Sequence, residues 1–386
     1  TADLVLEGGG VKGIAHLGAL TELENEGYSF QRVAGTSAGA IAGALTAACM
    51  QNGRRISDVT PMLFSESTPA SIDYSRVPDA VRLPVPDGMR IPVIDEPIGA
   101  VRIAASYGAN PGKYLRGWIQ AQLRTLGVTT FGDLKLTGDA WAHLPENQRY
   151  RLVVVATDVS RGSLVRLPWD YQDVYGLNPD EQLVADAVRA SVSIPFFFEP
   201  VKLPWGDHSG NVSYLVDGGV CSDFPVEIFG RVDGVAPRWP TFGVKLAVRS
   251  EAKRLVNEVS SAATFATALL ETASNGNDQV HLADPCVIDR TIFIDTSAVG
   301  AADFDLHPAQ QQLLYASGQH GAEAFLRGWD WKRYQAQCGA DAEQMNLARA
   351  ARGERLDRAL IGKRVSTTRP ARAERAEAAR IPEPVH

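Results

Sequence analysis

Ser37 sits inside Gly35-Thr36-Ser37-Ala38-Gly39, a G-x-S-x-G pattern with small residues on both flanks. A serine hydroxyl presented this way can attack a carbonyl carbon and hold the acyl group as an ester. That chemistry requires a base for the serine proton. It also requires N–H donors for the oxygen that becomes negative in the transition state. Upstream, Gly8-Gly9-Gly10, with Gly13 three positions later, supplies amides that no side chain obstructs. Downstream, Asp217 ends an apolar run and is followed by Gly218 and Gly219, which leave room for close approach to its carboxylate.

These residues need elements to bring them together. Asp3 to Glu7 reads as a short buried strand, and apolar positions at Ile14, Leu17, Leu20 and Leu23 give helical spacing up to Gly27. Phe30 to Ala34 is a second short strand, and an alanine-rich helix runs from Ala38 to about Met50. This strand–turn–helix setting is what a nucleophile elbow requires, and the helix opening after Ser37 adds its positive dipole end. If the first βαβ unit is parallel, the glycine run lies beside Ser37, and Lys12 adds positive potential there. Further on, Leu152 to Ala156 has the unbroken apolar character of a strand buried on both faces. Helices are expected over Lys113–Leu126, Glu181–Ala190 and Pro308–Trp329, and strands in YLVDGGV, TFGVKLAV and RTIFIDT. Strands alternating with helices imply an α/β fold with a mainly parallel sheet, whose sites lie at the carboxyl ends of strands.

The same glycines also satisfy G-x-G-x-x-G, a dinucleotide fingerprint. That reading fails on its second requirement. An acidic residue should end the second strand to hold a ribose, and that place is taken by Gly35-Thr36-Ser37. No cofactor is expected. The seven histidines, His16, His143, His208, His281, His307, His320 and His386, have no distinctive neighbourhood for a base. Neither a metal cluster nor an acidic calcium loop is apparent.

Composition sets broad limits. The chain has 386 residues with a formal charge of -7, so no global basic field for nucleic acid exists. Cys49, Cys221, Cys286 and Cys338 are widely spaced, which favours reduced, mostly buried thiols. No apolar run is long enough for a transmembrane helix, and no signal peptide is expected in the first residues given. Residues 61–111 hold eight of the 22 prolines and read as an irregular excursion. Residues 341–386 carry ten basic and seven acidic side chains with few apolar positions, as expected of a solvated helix and tail. The expected division is a catalytic domain over 1–335 and a charged tail over 341–386.

Four blocks in order, GGGVKG (Gly8–Gly13), GTSAG (Gly35–Gly39), ASVSIP (Ala190–Pro195) and DGG (Asp217–Gly219), resemble the patatin-like phospholipase family. DFDLHPAQQQLLYASG resembles the family's last helical region, so the likeness covers about residues 3–330. Lys12 stands where arginine is more usual. The resemblance implies a three-layer α/β/α fold and a Ser–Asp dyad with no histidine. Ser37 would be the nucleophile and Asp217 the base. Gly8, Gly9 and Gly10 would form the oxyanion hole, and Lys12, Gly13, Gly35, Gly39, Gly218 and Gly219 would support it. ASVSIP would brace the site, with Ser191 or Ser193 able to touch a head group. The implied substrate is a phospholipid or other acyl lipid met at a membrane surface through transient contact, for which the apolar stretch Val81–Ile103 is the candidate. Localisation stays open between the cytoplasm, a peripheral membrane position and export. Two rival readings remain at this stage: a His-dependent esterase of small substrates, and a lipid-binding protein with a vestigial site.

Overall fold

The computed structural model describes residues 1–64, 72–79, 106–230, 237–248, 268, 272, 284–301, 303–304 and 306–338. The stretch 81–103 and the tail 341–386 lie outside the described residues.

The first half of the chain builds β1 (Ala2–Leu6), α1 (Ile14–Asn25), β2 (Phe30–Thr36), α2 (Ala38–Gln51) and α3 (Ile56–Phe64). It continues with β3 (Gly108–Asn110), α4 (Lys113–Thr125), β4 (Leu152–Asp158), β5 (Ser163–Leu167), α5 (Trp169–Tyr175) and α6 (Val184–Ser191). Then follow β6 (Phe196–Phe198), β7 (Val201–Pro204), β8 (Val212–Asp217), β9 (Thr241–Lys245), α7 (Pro285–Asp289), β10 (Thr291–Phe293) and α8 (Pro308–Leu326). The expected first unit is present, and β2 extends two residues beyond Ala34 to take in Gly35 and Thr36. At the two ends of the 61–111 stretch, α3 runs through Pro61 to Phe64 and a short strand forms just before Pro111, while most of the stretch between lies outside the described residues. The short strands β3, β5, β6 and β7 lack a clear sequence signal of their own.

The main sheet runs β10-β9-β1-β2-β4-β8-β7, with β5 on the other edge of β4. From β10 to β4 every pairing is parallel. β5 and β8 are antiparallel to β4, and β7 is antiparallel to β8. The expectation of a mainly parallel sheet therefore holds for the half that carries β1, β2 and β9. β4 is buried along its whole length, as its unbroken apolar run requires.

Two units divide the chain: Thr1–Phe229 with Arg238–Tyr334, and Gly230–Pro237 with Gln335–His386. Within the first, α2 is buried on nearly every side, and its alanines and glycines let it lie close to the sheet. α1 and α8 meet backbone to backbone. A Cβ at Gly18 would lie 2.0 Å from the Tyr315 carbonyl oxygen, and one at Gly318 would lie 2.0 Å from that of Ala15. The cysteine expectation needs correction: Cys286 and Cys338 are each in a disulfide, while Cys49 and Cys221 keep their thiols.

The helix crossing generates a prediction. Gly18→Val and Gly318→Val must each push the two backbones apart, at a cost of about 3 kcal/mol. Urea unfolding should show the lowered midpoint, and an unchanged midpoint would mean the helices are not held at this separation.

Candidate active site

Three register pairs assemble the site. Leu6 of β1 pairs with Gly35 of β2, so Glu7-Gly8 and Thr36-Ser37 leave the sheet side by side. Thr36 pairs with Val155 of β4. The next residue, Ala156, pairs with Asp217 of β8. β2 and β8 thus meet end to end along one edge of β4, and Ser37 and Asp217 face each other across the junction.

Ser37 has φ 51° and ψ -120°, a strained conformation for any residue other than glycine. The turn closes because its flanks are bare. A Cβ at Gly39 would lie 2.2 Å from the Leu6 carbonyl oxygen, and one at Gly35 would lie 2.2 Å from that of Gly39. The Ser37 hydroxyl donates to Asp217 Oδ2 at 2.7 Å. Asp217 Oδ1 accepts from the Gly219 amide at 2.9 Å. Burial pushes the Asp217 carboxyl from 3.8 up to about 6, against the opposing pull of the Ser37 and Gly219 hydrogen bonds. Gly218 packs beneath, toward the Val155 carbonyl and the Thr36 methyl.

The glycine run lies where the register places it. Gly8 abuts Ser37, but its amide donates to the Asp223 carbonyl at 3.2 Å. Of the three amides expected as oxyanion donors, that of Gly8 is thus already engaged. The Gly9 and Gly10 amides donate to nothing among the described residues. Gly10 has φ 58°, and a Cβ there would lie 2.1 Å from the Ala301 carbonyl oxygen. Gly13 precedes α1 and lies against Ala38. Lys12 is in the short 3-10 turn Gly10–Gly13, half-exposed. Beneath the loop, the Glu7 carboxylate is held by Lys245 and by the Leu246 amide, the latter at 2.5 Å.

Ser191 and Ser193 are fully buried, which rules out the head-group contact expected of them. They brace the backbone at Ser37 and Asp217 instead. The Ser191 hydroxyl accepts from the Ser37 amide at 2.8 Å and donates to the Val155 carbonyl at 2.6 Å. The Ser193 carbonyl accepts from the Asp217 amide at 2.9 Å. Behind Ser193, the buried Arg189 guanidinium donates to the Ser193 hydroxyl and to the carbonyls of Pro111 and Glu199. Burial lowers this arginine to about 10. Sequence reasoning missed Arg189 and Asp223, since neither belongs to a glycine or serine motif. Their only signal is adjacency to motifs in the chain.

An apolar cavity opens at Ser37 and Gly10. Its walls include Leu17 of α1, Leu45 of α2, Tyr74, Trp118 of α4 and Phe304. Such walls suit an alkyl chain and offer nothing to a polar one. The histidines described lie elsewhere in the bonding pattern. His16 is buried with Nε2 2.7 Å from the Glu7 carbonyl and is lowered to about 4 by burial, and His307 caps α8. His281 and His386 are outside the described residues. No cluster of three or more candidate metal ligands occurs among the described residues.

The family description patatin-like phospholipase matches residues 4–229. The uncharacterized protein YqhO of Bacillus subtilis is 35% identical over 331 residues, covering 85% of this chain and 99% of that one. Among solved structures, VipD from Legionella pneumophila aligns at 19% identity and TM-score 0.42, over 84% of this chain. The type III effector ExoU of Pseudomonas aeruginosa aligns at 17% identity and TM-score 0.40, over 96% of this chain. The chain spans 66% of each of those two proteins, just under two thirds of their length. The chain belongs to the patatin-like phospholipase family, and in broad class it is a lipid ester hydrolase.

Two predictions follow from the geometry. Ser191→Ala leaves the buried Ser37 amide and Val155 carbonyl unpaired and should cost about 1–3 kcal/mol, read from the thermal midpoint. Asp217→Asn should instead stabilise the fold at pH 8. The folded-state carboxyl titrates about two units above its unfolded value, so folding stability falls as pH rises from about 4 to about 6. Removing the charge should restore on the order of 3 kcal/mol. A lowered midpoint for Asp217→Asn would refute that accounting.

Proposed function

We propose that the chain is an acyl hydrolase of phospholipase A or lysophospholipase type, working through a Ser37–Asp217 dyad and an acyl-enzyme. The observation that carries this is the 2.7 Å hydrogen bond from the Ser37 hydroxyl to Asp217, at the mouth of an apolar cavity. A carboxylate in direct contact with the hydroxyl favours the dyad over a histidine-dependent esterase. Catalytic machinery would occupy 1–335, with 341–386 as an appended tail.

The reaction begins with the ester carbonyl over Ser37 and its acyl chain in the cavity. Asp217 accepts the hydroxyl proton as Ser37 Oγ bonds to the carbonyl carbon. The carbonyl oxygen becomes an alkoxide and accepts hydrogen bonds from the Gly9 and Gly10 amides. Gly8 would join them only by releasing Asp223. The tetrahedral adduct then collapses: the ester C–O bond breaks, and the departing alcohol takes the proton held by Asp217. Water attacks the acyl-serine, giving its proton to Asp217. Collapse of the second adduct releases the fatty acid and returns that proton to Ser37. The strained turn at Ser37 holds its oxygen in line throughout. The substrate would be an acyl lipid at a membrane surface, because the cavity accepts chains while phospholipid head groups remain outside.

The test is hydrolysis of p-nitrophenyl butyrate. Ser37→Ala and Asp217→Asn should each lower kcat/KM by at least about a thousandfold while the fold survives. As a base, Asp217 must be ionised, so kcat/KM should fall about tenfold per pH unit below its pKa of about 6 and level off above. Full activity in either variant would dismiss the dyad. Loss of activity in His307→Ala or His320→Ala, with Asp217→Asn active, would favour the histidine-dependent reading.

A further inference from the structure

Six large apolar side chains are well exposed among the described residues: Tyr107, Val159, Phe196, Val212, Val248 and Leu313. Four of them gather on one face. The two-stranded ladder of β3 and β6 pairs Gly108 with Phe196, which brings Tyr107 beside that phenylalanine. The Tyr107 ring meets Tyr214 edge-on, with centroids 5.8 Å apart. The Val159 amide donates to the Tyr214 carbonyl at 3.0 Å, and Val212 shares the Tyr214 face of β8. Exposed apolar residues scattered singly need no explanation, whereas a cluster of them marks a contact surface.

The backbone gives a second, independent sign. Four non-glycine residues have positive φ among the described residues: Ser37, Tyr107, Phe196 and His208. For bulky aromatic residues this conformation is a genuine outlier. Tyr107 has φ 63° and Phe196 φ 67°, yet their rings stand 58% and 52% exposed. Strain that serves packing would bury the ring it produces. Here strain delivers two rings to solvent, and retained strain of this kind accompanies function.

We propose that this face, built on Tyr107, Phe196, Tyr214 and Val212, is the surface by which the chain docks on a phospholipid bilayer. The inference rests on the acyl-hydrolase reading for its choice of occupant. Aromatic rings suit the membrane–water boundary, where an apolar body meets a wet edge. Two exposed cations flank the rings. Lys202 pairs with Tyr214 across the β7–β8 ladder, its ammonium 5.6 Å from that ring. Arg161 follows Val159 closely and lies 5.4 Å over Trp205. Long basic side chains on an aromatic face reach lipid phosphates while their stems stay on apolar ground.

Continuity with the cavity selects lipid over other partners. β6 is three phenylalanines in a row. Phe196 faces solvent, Phe197 stacks on Phe304 at 5.1 Å, and Phe198 is buried in the cavity wall. One strand therefore leads from the docking face to the chamber that opens on Ser37. A chain leaving a bilayer at Phe196 would find apolar contact along the whole way.

Sedimentation with large unilamellar vesicles of phosphatidylcholine and phosphatidylglycerol, 3:1 by an illustrative choice of about that ratio, tests the proposal. The full chain carries Ser37→Ala throughout, so binding is read without turnover. Tyr107→Asn with Phe196→Asn keeps residues that tolerate positive φ and should weaken vesicle binding at least about tenfold. Leu313→Ser and Val248→Ser, outside the cluster, should bind as the parent does. Lys202→Glu, an exposed single change, should weaken binding most at low salt and covers the case in which the double variant misfolds. A parent that ignores vesicles, or a folded double variant that binds as well as the parent, overturns the docking face. Self-association without lipid that the double variant abolishes would assign the face to a second copy and also overturn it. Short-ester hydrolysis by the chain with Ser37 intact is scored separately, so failure of catalysis and failure of docking are told apart.

Discussion

One edge of β4 sets the geometry on which the rest depends. Successive residues there, Val155 and Ala156, pair with the last residues of two strands that arrive from opposite directions. The backbone of β4 thereby becomes a ruler: the separation of Ser37 and Asp217 follows from ladder hydrogen bonds and not from flexible side chains. β4 is paired on both edges and buried throughout, so this ruler belongs to the most stable part of the sheet. The glycine run joins by the same logic, since the β1–β2 register sends Glu7 and Thr36 out of the sheet together.

Placing a carboxylate at such a junction has a cost. Asp217 is buried among strand ends, its carboxylate accepting from the Ser37 hydroxyl and the Gly219 amide, and no cation is among its hydrogen-bond partners. An ion pair would lower its proton affinity. Leaving it desolvated and neutral-leaning does the reverse. The described residues also hold buried ion pairs, Asp3 with Arg32 near the start of β1 and Glu7 with Lys245 beneath the glycine loop, and neither includes Asp217.

Much of this was legible in the sequence. The nucleophile turn could be read because its steric demands leave a mark: only glycine fits at Gly35 and Gly39, where backbone carbonyls lie within van der Waals reach. Asp217 could be read because a glycine pair follows a strand. The fate of Gly8 could not, because its amide partner, the Asp223 carbonyl, is a backbone group that any residue carries. Ser191 and Ser193 look like surface polar residues by type, and only the packing of α6 against β4 and β8 buries them. The short strands β3 and β6 pair with each other across about 90 residues, a long-range match that local pattern cannot encode. That Cys286 and Cys338 are each in a disulfide could not be read either, since wide spacing carries no information on oxidation.

Arg189 joins parts that look separate. Its guanidinium holds the carbonyl of Pro111 where α4 begins, the carbonyl of Glu199 beyond β6, and the Ser193 hydroxyl. Asp79 in turn accepts from the amides of Gly112 and Tyr114. The cavity walls contributed by α4 and β6 are consequently lashed to the segment whose carbonyl steadies Asp217. A guest that forces those walls apart loads the same guanidinium that is bonded to Ser193, so how well the chamber is filled and how firmly the end of β8 is held become mechanically one variable.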